Sequence, residues 1–244
     1  MSEFEVLGLR EVDFNSPVAI IGFPTVGLVG SILASYVSKT KNMEFVAGIA
    51  SAGLPPYTLI QNGKPYPPVR VYGLKTEEER DLIVVTSEVT PRPETCHGIA
   101  VQVLKVLDML GVAEVIAIEG VGRCAAPGSA DADIVACGTT DAALDRARTA
   151  GLGILTEGLV HGITGVMLYE CADKGKDMLA LLCPADPGMP DPRASAALIA
   201  SLSKLVPSLE IDLEPLIREA EEMESRLRDE SYGECNDVIR QLYG

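Results

Sequence analysis

Between Pro17 and Ser38 the sequence reads PVAIIGFPTVGLVGSILASYVS, and its hydrophobic period changes once. Val18–Gly22 is a continuous apolar run of strand length, the pattern of a strand buried on both faces. Phe23-Pro24-Thr25 breaks it. From Val26 the apolar residues Val26, Val29, Leu33, Tyr36 and Val37 fall on one face at helical spacing. Strand, tight turn and helix in that order open an α/β domain. Gly27, Gly30 and Ala34 add a stripe of small residues that lets another backbone approach the helix.

The rest of the chain continues the alternation. Phe4–Leu9 reads as an edge strand and Phe45–Ile49 as a second strand after the opening strand and helix. Tyr57–Ile60 and Val69–Tyr72 flank Asn62-Gly63, a strong turn signal, and read as a hairpin. Pro65, Pro67 and Pro68 lack amide donors, which places that hairpin at a sheet edge. Asp81–Ser87 reads as a buried strand and Val115–Ile118 as the next strand. Between them Ile99, Val103, Val106, Leu107 and Leu110 mark a helix stopped by Gly111. Val121–Gly138, rich in Gly and Ala, reads as a loop or flap. Helices are predicted over Thr140–Ala150, Gly162–Cys171 (packed inside the domain) and Ala194–Val206, and strands at Ile154–Thr156 and Met178–Cys183.

At Glu210 the character changes. Leu213, Leu216, Ala220, Met223 and Leu227 repeat at spacings of three and four, a narrow seam suited to a partner helix. Glu222 with Arg226 and Glu224 with Arg228 are favourable helical pairs. Residues 210–244 hold 11 acids against four arginines, so this end is strongly self-repelling. The expected organisation is an α/β domain over residues 1–208 and an acidic helical extension and tail over 209–244.

Charge excludes one class of partner. The chain carries −15 at neutral pH with no local basic patch, so it repels phosphate backbones and is not expected to bind nucleic acid. No apolar run is long enough to span a bilayer, and the acidic start MSEFEVLGLREVDF lacks the basic-then-apolar pattern of a secretory signal. Six scattered cysteines form no CxxC pair, the usage of a cytoplasmic protein with reduced thiols. With two histidines they give no zinc-ligand spacing, so neither metal nor cofactor is expected.

Candidate sites come from two places. Gly22, Gly27 and Gly30 do not have dinucleotide-binding spacing, and no lysine follows Gly27 as in a phosphate-binding loop. Close packing of helix on sheet explains them, although free amides at the helix start can hold an anion. Glu88, Glu119 and Glu157 each follow a strand-like run. In an open α/β sheet ligands bind beyond the carboxyl ends of strands, so these carboxylates could converge as acid and base or on a cation; equally, they are capping or solvated acids. No serine sits in a G-x-S-x-G elbow, and adjacent Cys96 and His97 diverge rather than pair. Arg70 and Arg123 could each meet Glu88 or Glu119 in an ion pair. The candidate pocket is therefore Pro24, Gly27, Gly30, Arg70, Glu88 and Glu119. The second place is the end of the chain, Leu242-Tyr243-Gly244: an apolar anchor, a ring with a hydroxyl and a free carboxylate, which either packs on the domain or is offered to a partner.

Four stretches together resemble the archaeal branch of the proteasome assembly chaperone 2 family: FPTVGLVGSILASYV, GLPPYTLIQNGKPYPPVRVYG, DLIVVTSEVTPRPE and AEVIAIEGVG. The resemblance implies an α/β fold with a central, mostly parallel sheet flanked by helices, similar to phosphorylase/hydrolase-like architectures, with a helical C-terminal extension. It implies a non-enzymatic homo-oligomer whose partner is the 20S proteasome. Members that engage the proteasome carry a C-terminal hydrophobic–Tyr–any motif that docks between α-subunits, its carboxylate meeting a lysine. Leu242, Tyr243 and Gly244 stand in those places. The alternative kept open is a small-molecule or metal-binding enzyme with its site at the strand ends near Glu88 and Glu119.

Overall fold

The computed structural model describes residues 4–51, 53–77, 80–122 and 134–218. Its strands are β1 (Phe4–Leu7), β2 (Val18–Gly22), β3 (Glu44–Ser51), β4 (Leu59–Gln61), β5 (Lys64–Tyr66), β6 (Val69–Leu74), β7 (Leu82–Ser87), β8 (Glu114–Gly122), β9 (Val135–Gly138), β10 (Gly153–Ile154) and β11 (Asp177–Ala185). Its helices are α1 (Val29–Thr40), α2 (Pro93–Met109), α3 (Asp141–Thr149), α4 (Gly162–Asp173) and α5 (Pro192–Leu205).

Nine strands form one sheet in the order β1-β3-β6-β7-β2-β8-β11-β9-β10. The run β7-β2-β8-β11 is parallel. Beyond β7 the pairings of β6, β3 and β1 are antiparallel, and β9 runs antiparallel to β11. The sheet is thus mixed, with a parallel centre. The Val18–Gly22 strand lies in the middle and is buried along its whole length, so it has no polar face to alternate.

The pleat divides the core. Val18, Ile20, Ile116 and Ile118 face α1, α3 and α5, whereas Ala19, Ile21, Val115 and Ala117 face α2 and α4. Helix α1 comes so close to β2 that a Cβ on Gly22 would stand 2.1 Å from the Gly30 carbonyl oxygen. The small-residue stripe is a packing device there. The regular helix starts at Val29 rather than Val26, because Gly27 and Leu28 both adopt left-handed dihedrals in a 3-10 turn.

Two further expectations are corrected. Asn62-Gly63 does turn the chain, both residues at positive φ, but it joins β4 to β5 in a separate two-stranded sheet. A two-residue loop sets Gln61 opposite Lys64, and Pro67-Pro68 then ends the hairpin before Val69. Strand β6 goes instead into the main sheet between β3 and β7, fully inside it rather than at its edge. Helix α4 is not enclosed: Ile163, Met167 and Cys171 form its buried stripe, while Tyr169 is exposed. The region read as a flap contains β9; residues 123–133, with Arg123, lie outside the described residues.

The start of the acidic extension packs on the α1 face. Leu209 and Leu216 are buried there, with Leu213 and Ile217 beside them. The Tyr36 hydroxyl donates to the Asp212 carbonyl at 2.6 Å, and Lys41 Nζ to the Glu210 carbonyl at 2.8 Å. Residues 214–218 are helical, so the described part of the seam covers its own domain. Leu242, Tyr243 and Gly244 lie outside the described residues.

Candidate functional site

Strand β2 stops at Gly22, opposite Ile118 of β8. Strand β8 runs on, so Glu119 and Gly120 lie beside the β2–α1 loop. Gly120 is needed there: a Cβ would stand 1.9 Å from the Val26 carbonyl oxygen. Its amide donates to Thr25 Oγ1 at 2.8 Å, which ties the loop to the strand.

Glu119 points to the other face. It continues the series Val115, Ala117, so its carboxyl enters the space between the sheet, α2 and α4. A cavity of about 510 Å³ opens there. Phe23, Pro24, Pro91, Pro93, Ile163 and Val166 give it mostly apolar walls, and Thr25, Thr90 and His161 add polar groups. Glu119 is only 4% exposed. Thr164, in the first turn of α4, donates its hydroxyl to Glu119 Oε2 at 2.7 Å. Among the described residues nothing hydrogen-bonds the other carboxyl oxygen. Burial raises the Glu119 carboxyl from its ordinary 4.5 to about 7, and the Thr164 hydrogen bond opposes part of that rise.

Cys96 also lines the cavity, its thiol 3.4 Å from the Arg92 carbonyl oxygen. Burial raises its pKa, and nearby Glu94 raises it further, so it is a protonated thiol and not an activated nucleophile. His97 points away, stacked on Tyr169 with ring centroids 6.4 Å apart. The divergence expected of adjacent residues is what the helix imposes.

The six residues expected to share a pocket are separated. Pro24 and Glu119 line this cavity. Gly30 is held against Phe23 and Ile118, and Gly27 against Ala185 and Asp191. Arg70 is buried on the α1 side, where its guanidinium donates to Tyr72 Oη at 3.0 Å, to the Pro67 carbonyl at 3.1 Å and to Glu88 Oε1. Strand parity explains the split: Glu88 falls in step with Leu82 and Val84 on one face, Glu119 with Val115 and Ala117 on the other. The two carboxylates therefore cannot converge. Glu157 is exposed in the loop after β10. Among the described residues no group of three His, Cys, Asp or Glu side chains is arranged to hold a metal ion. Thr164 and Thr90 are absent from the sequence-based set; the only signal for Thr164 was a helix start, GITG, following a strand.

A model of the PAC2 family matches residues 19–230. The chain belongs to the PAC2 family. This PAC2 protein is 29% identical over 219 residues to an uncharacterised protein of Methanocaldococcus jannaschii, covering 90% of the present chain and 87% of the relative. It superposes on PbaA of Pyrococcus furiosus, an archaeal homologue of proteasome-assembly chaperone, with a TM-score of 0.84 and 28% identity, covering 98% and 97% of the two chains. PbaB of the same organism, an archaeal proteasome activator, shares the fold at 23% identity and a TM-score of 0.81, over 95% and 100% of the chains. No helix among the described residues of this PAC2 protein is long and apolar enough to cross a membrane.

Proposed function

We propose that this PAC2 protein is a non-enzymatic assembly chaperone or adaptor of the 20S proteasome. The observation that carries the reading is its end-to-end likeness to PbaA, an archaeal homologue of proteasome-assembly chaperone. Residues 209–244 then serve as an acidic extension that delivers Leu242, Tyr243 and Gly244 to the α-subunit ring. The attachment of Asp212, Glu210 and Leu216 to α1 supports this division of labour: it fixes where the extension leaves the domain. As a homo-oligomer the protein presents several tails to one ring, and linkage raises avidity by ~10²–10⁴-fold over a single weak contact.

The test is co-sedimentation with 20S particles from the same cell, using the full chain and a chain ending at Gln241. Binding by the full chain only, with unchanged melting temperature after truncation, is the expected result. Equal binding by both would remove the tail from the mechanism.

A further inference from the structure

The proposed function does not draw on the cavity beside Glu119, whose chemistry is unbalanced. A carboxylate offers about four acceptor positions, yet among the described residues Glu119 receives one hydrogen bond, from Thr164. Among the described residues, no lysine or arginine lines the cavity. Among the described residues, the titratable groups that line the cavity with Glu119 are Cys96 from α2 and His161 from the residue before α4, so no described permanent cation offsets the buried acid. The walls are otherwise apolar, and the volume lies in the range of small-ligand sites.

We propose that this cavity binds a small molecule with an apolar body and one protonated amine, whose ammonium group meets the Glu119 carboxylate. An ammonium supplies donors and charge together, filling the acceptor position that no described residue serves. Its apolar portion lies against Phe23, Pro91, Ile163 and Val166. An anion is a poorer fit, because it would face the Glu119 carboxylate with no described cation beside it. A neutral ligand would leave the ionised carboxylate uncompensated.

The discriminating experiment is isothermal titration calorimetry at pH 8 on the full-length protein with three probes of matched shape: phenethylamine, 2-phenylethanol and 3-phenylpropanoate. The amine is expected to bind about tenfold or more tighter than either analogue, the size of one charge-assisted hydrogen bond. Glu119→Gln keeps an acceptor for Thr164 and should erase that preference. A second variant, Thr90→Trp, alters an exposed residue at the mouth and should block binding of the amine while leaving Glu119 intact. Three results would overturn the proposal: propanoate binding as tightly as the amine, amine preference surviving in Glu119→Gln, or no saturable heat with any probe.

Discussion

Glu119 makes a quantitative claim about stability. Its carboxyl titrates near 4.5 in the unfolded chain and at about 7 in the folded one. Below pH 4.5 both states are protonated and the site costs nothing. Between pH 4.5 and 7 the folded state keeps a proton that the unfolded state has released, so stability falls as pH rises. Above pH 7 both are ionised and the cost is constant. The gap between the two values converts, at about 1.36 kcal/mol per pKa unit, to roughly 3 kcal/mol at pH 8 and about 1.5 kcal/mol at pH 5.5. Glu119→Gln removes the charge while preserving shape and the Thr164 contact. Urea unfolding of the two proteins at pH 5.5 and pH 8 is the assay, both values chosen above the isoelectric point near 4.5. Any fixed cost of the amide cancels between the two pH values. The variant should gain about 1.5–2 kcal/mol relative to wild type on going from pH 5.5 to 8. A pH-independent difference would show that the carboxyl is not ionised at a cost, and the electrostatic reasoning would fail.

Other perturbations separate packing from function. Gly120→Ala drives a methyl into the Val26 carbonyl and should lower unfolding free energy by ~1–3 kcal/mol in denaturant melts, as overpacking does. Arg70→Ala removes a buried guanidinium that bonds Tyr72, Pro67 and Glu88 and should cost ~3 kcal/mol by the same measurement; Glu88→Gln, at a half-exposed carboxylate, should cost about 1 kcal/mol. Tyr36→Phe deletes the hydroxyl that holds Asp212. It should destabilise by ~1 kcal/mol and speed hydrogen exchange selectively over residues 210–218.

Individual strands and helices were legible because burial writes itself into hydrophobic period: Val18–Gly22 and the first four residues of β7, Leu82–Val85, are apolar throughout since both faces are covered. Pairing was not. Asn62-Gly63 names a turn but not the length of its strands, and Pro65, Pro67 and Pro68 point to an edge although all three precede β6 and leave its amides free to pair on both sides. The candidate site was half legible. Glu119 could be picked out as an acid closing a buried strand. Its separation from Glu88 depends on strand parity across β2, and its hydroxyl partner lies 45 residues away on Thr164. Neither relation exists until the sheet order is known.

That order also governs how the chain can form. Strand β2 is complete by Gly22, but its two neighbours, β7 and β8, begin at Leu82 and Glu114, and β8 waits for β11 at Asp177. During synthesis this apolar strand therefore emerges early and has no sheet partner until β7 has been made. The α1 face is closed later still, by α5 and Leu216. Loop-closure entropy must be met before these distant pairings form, so folding is slow for a chain of this length. Until then the nascent chain exposes an unpaired strand edge, the condition under which aggregation competes with folding.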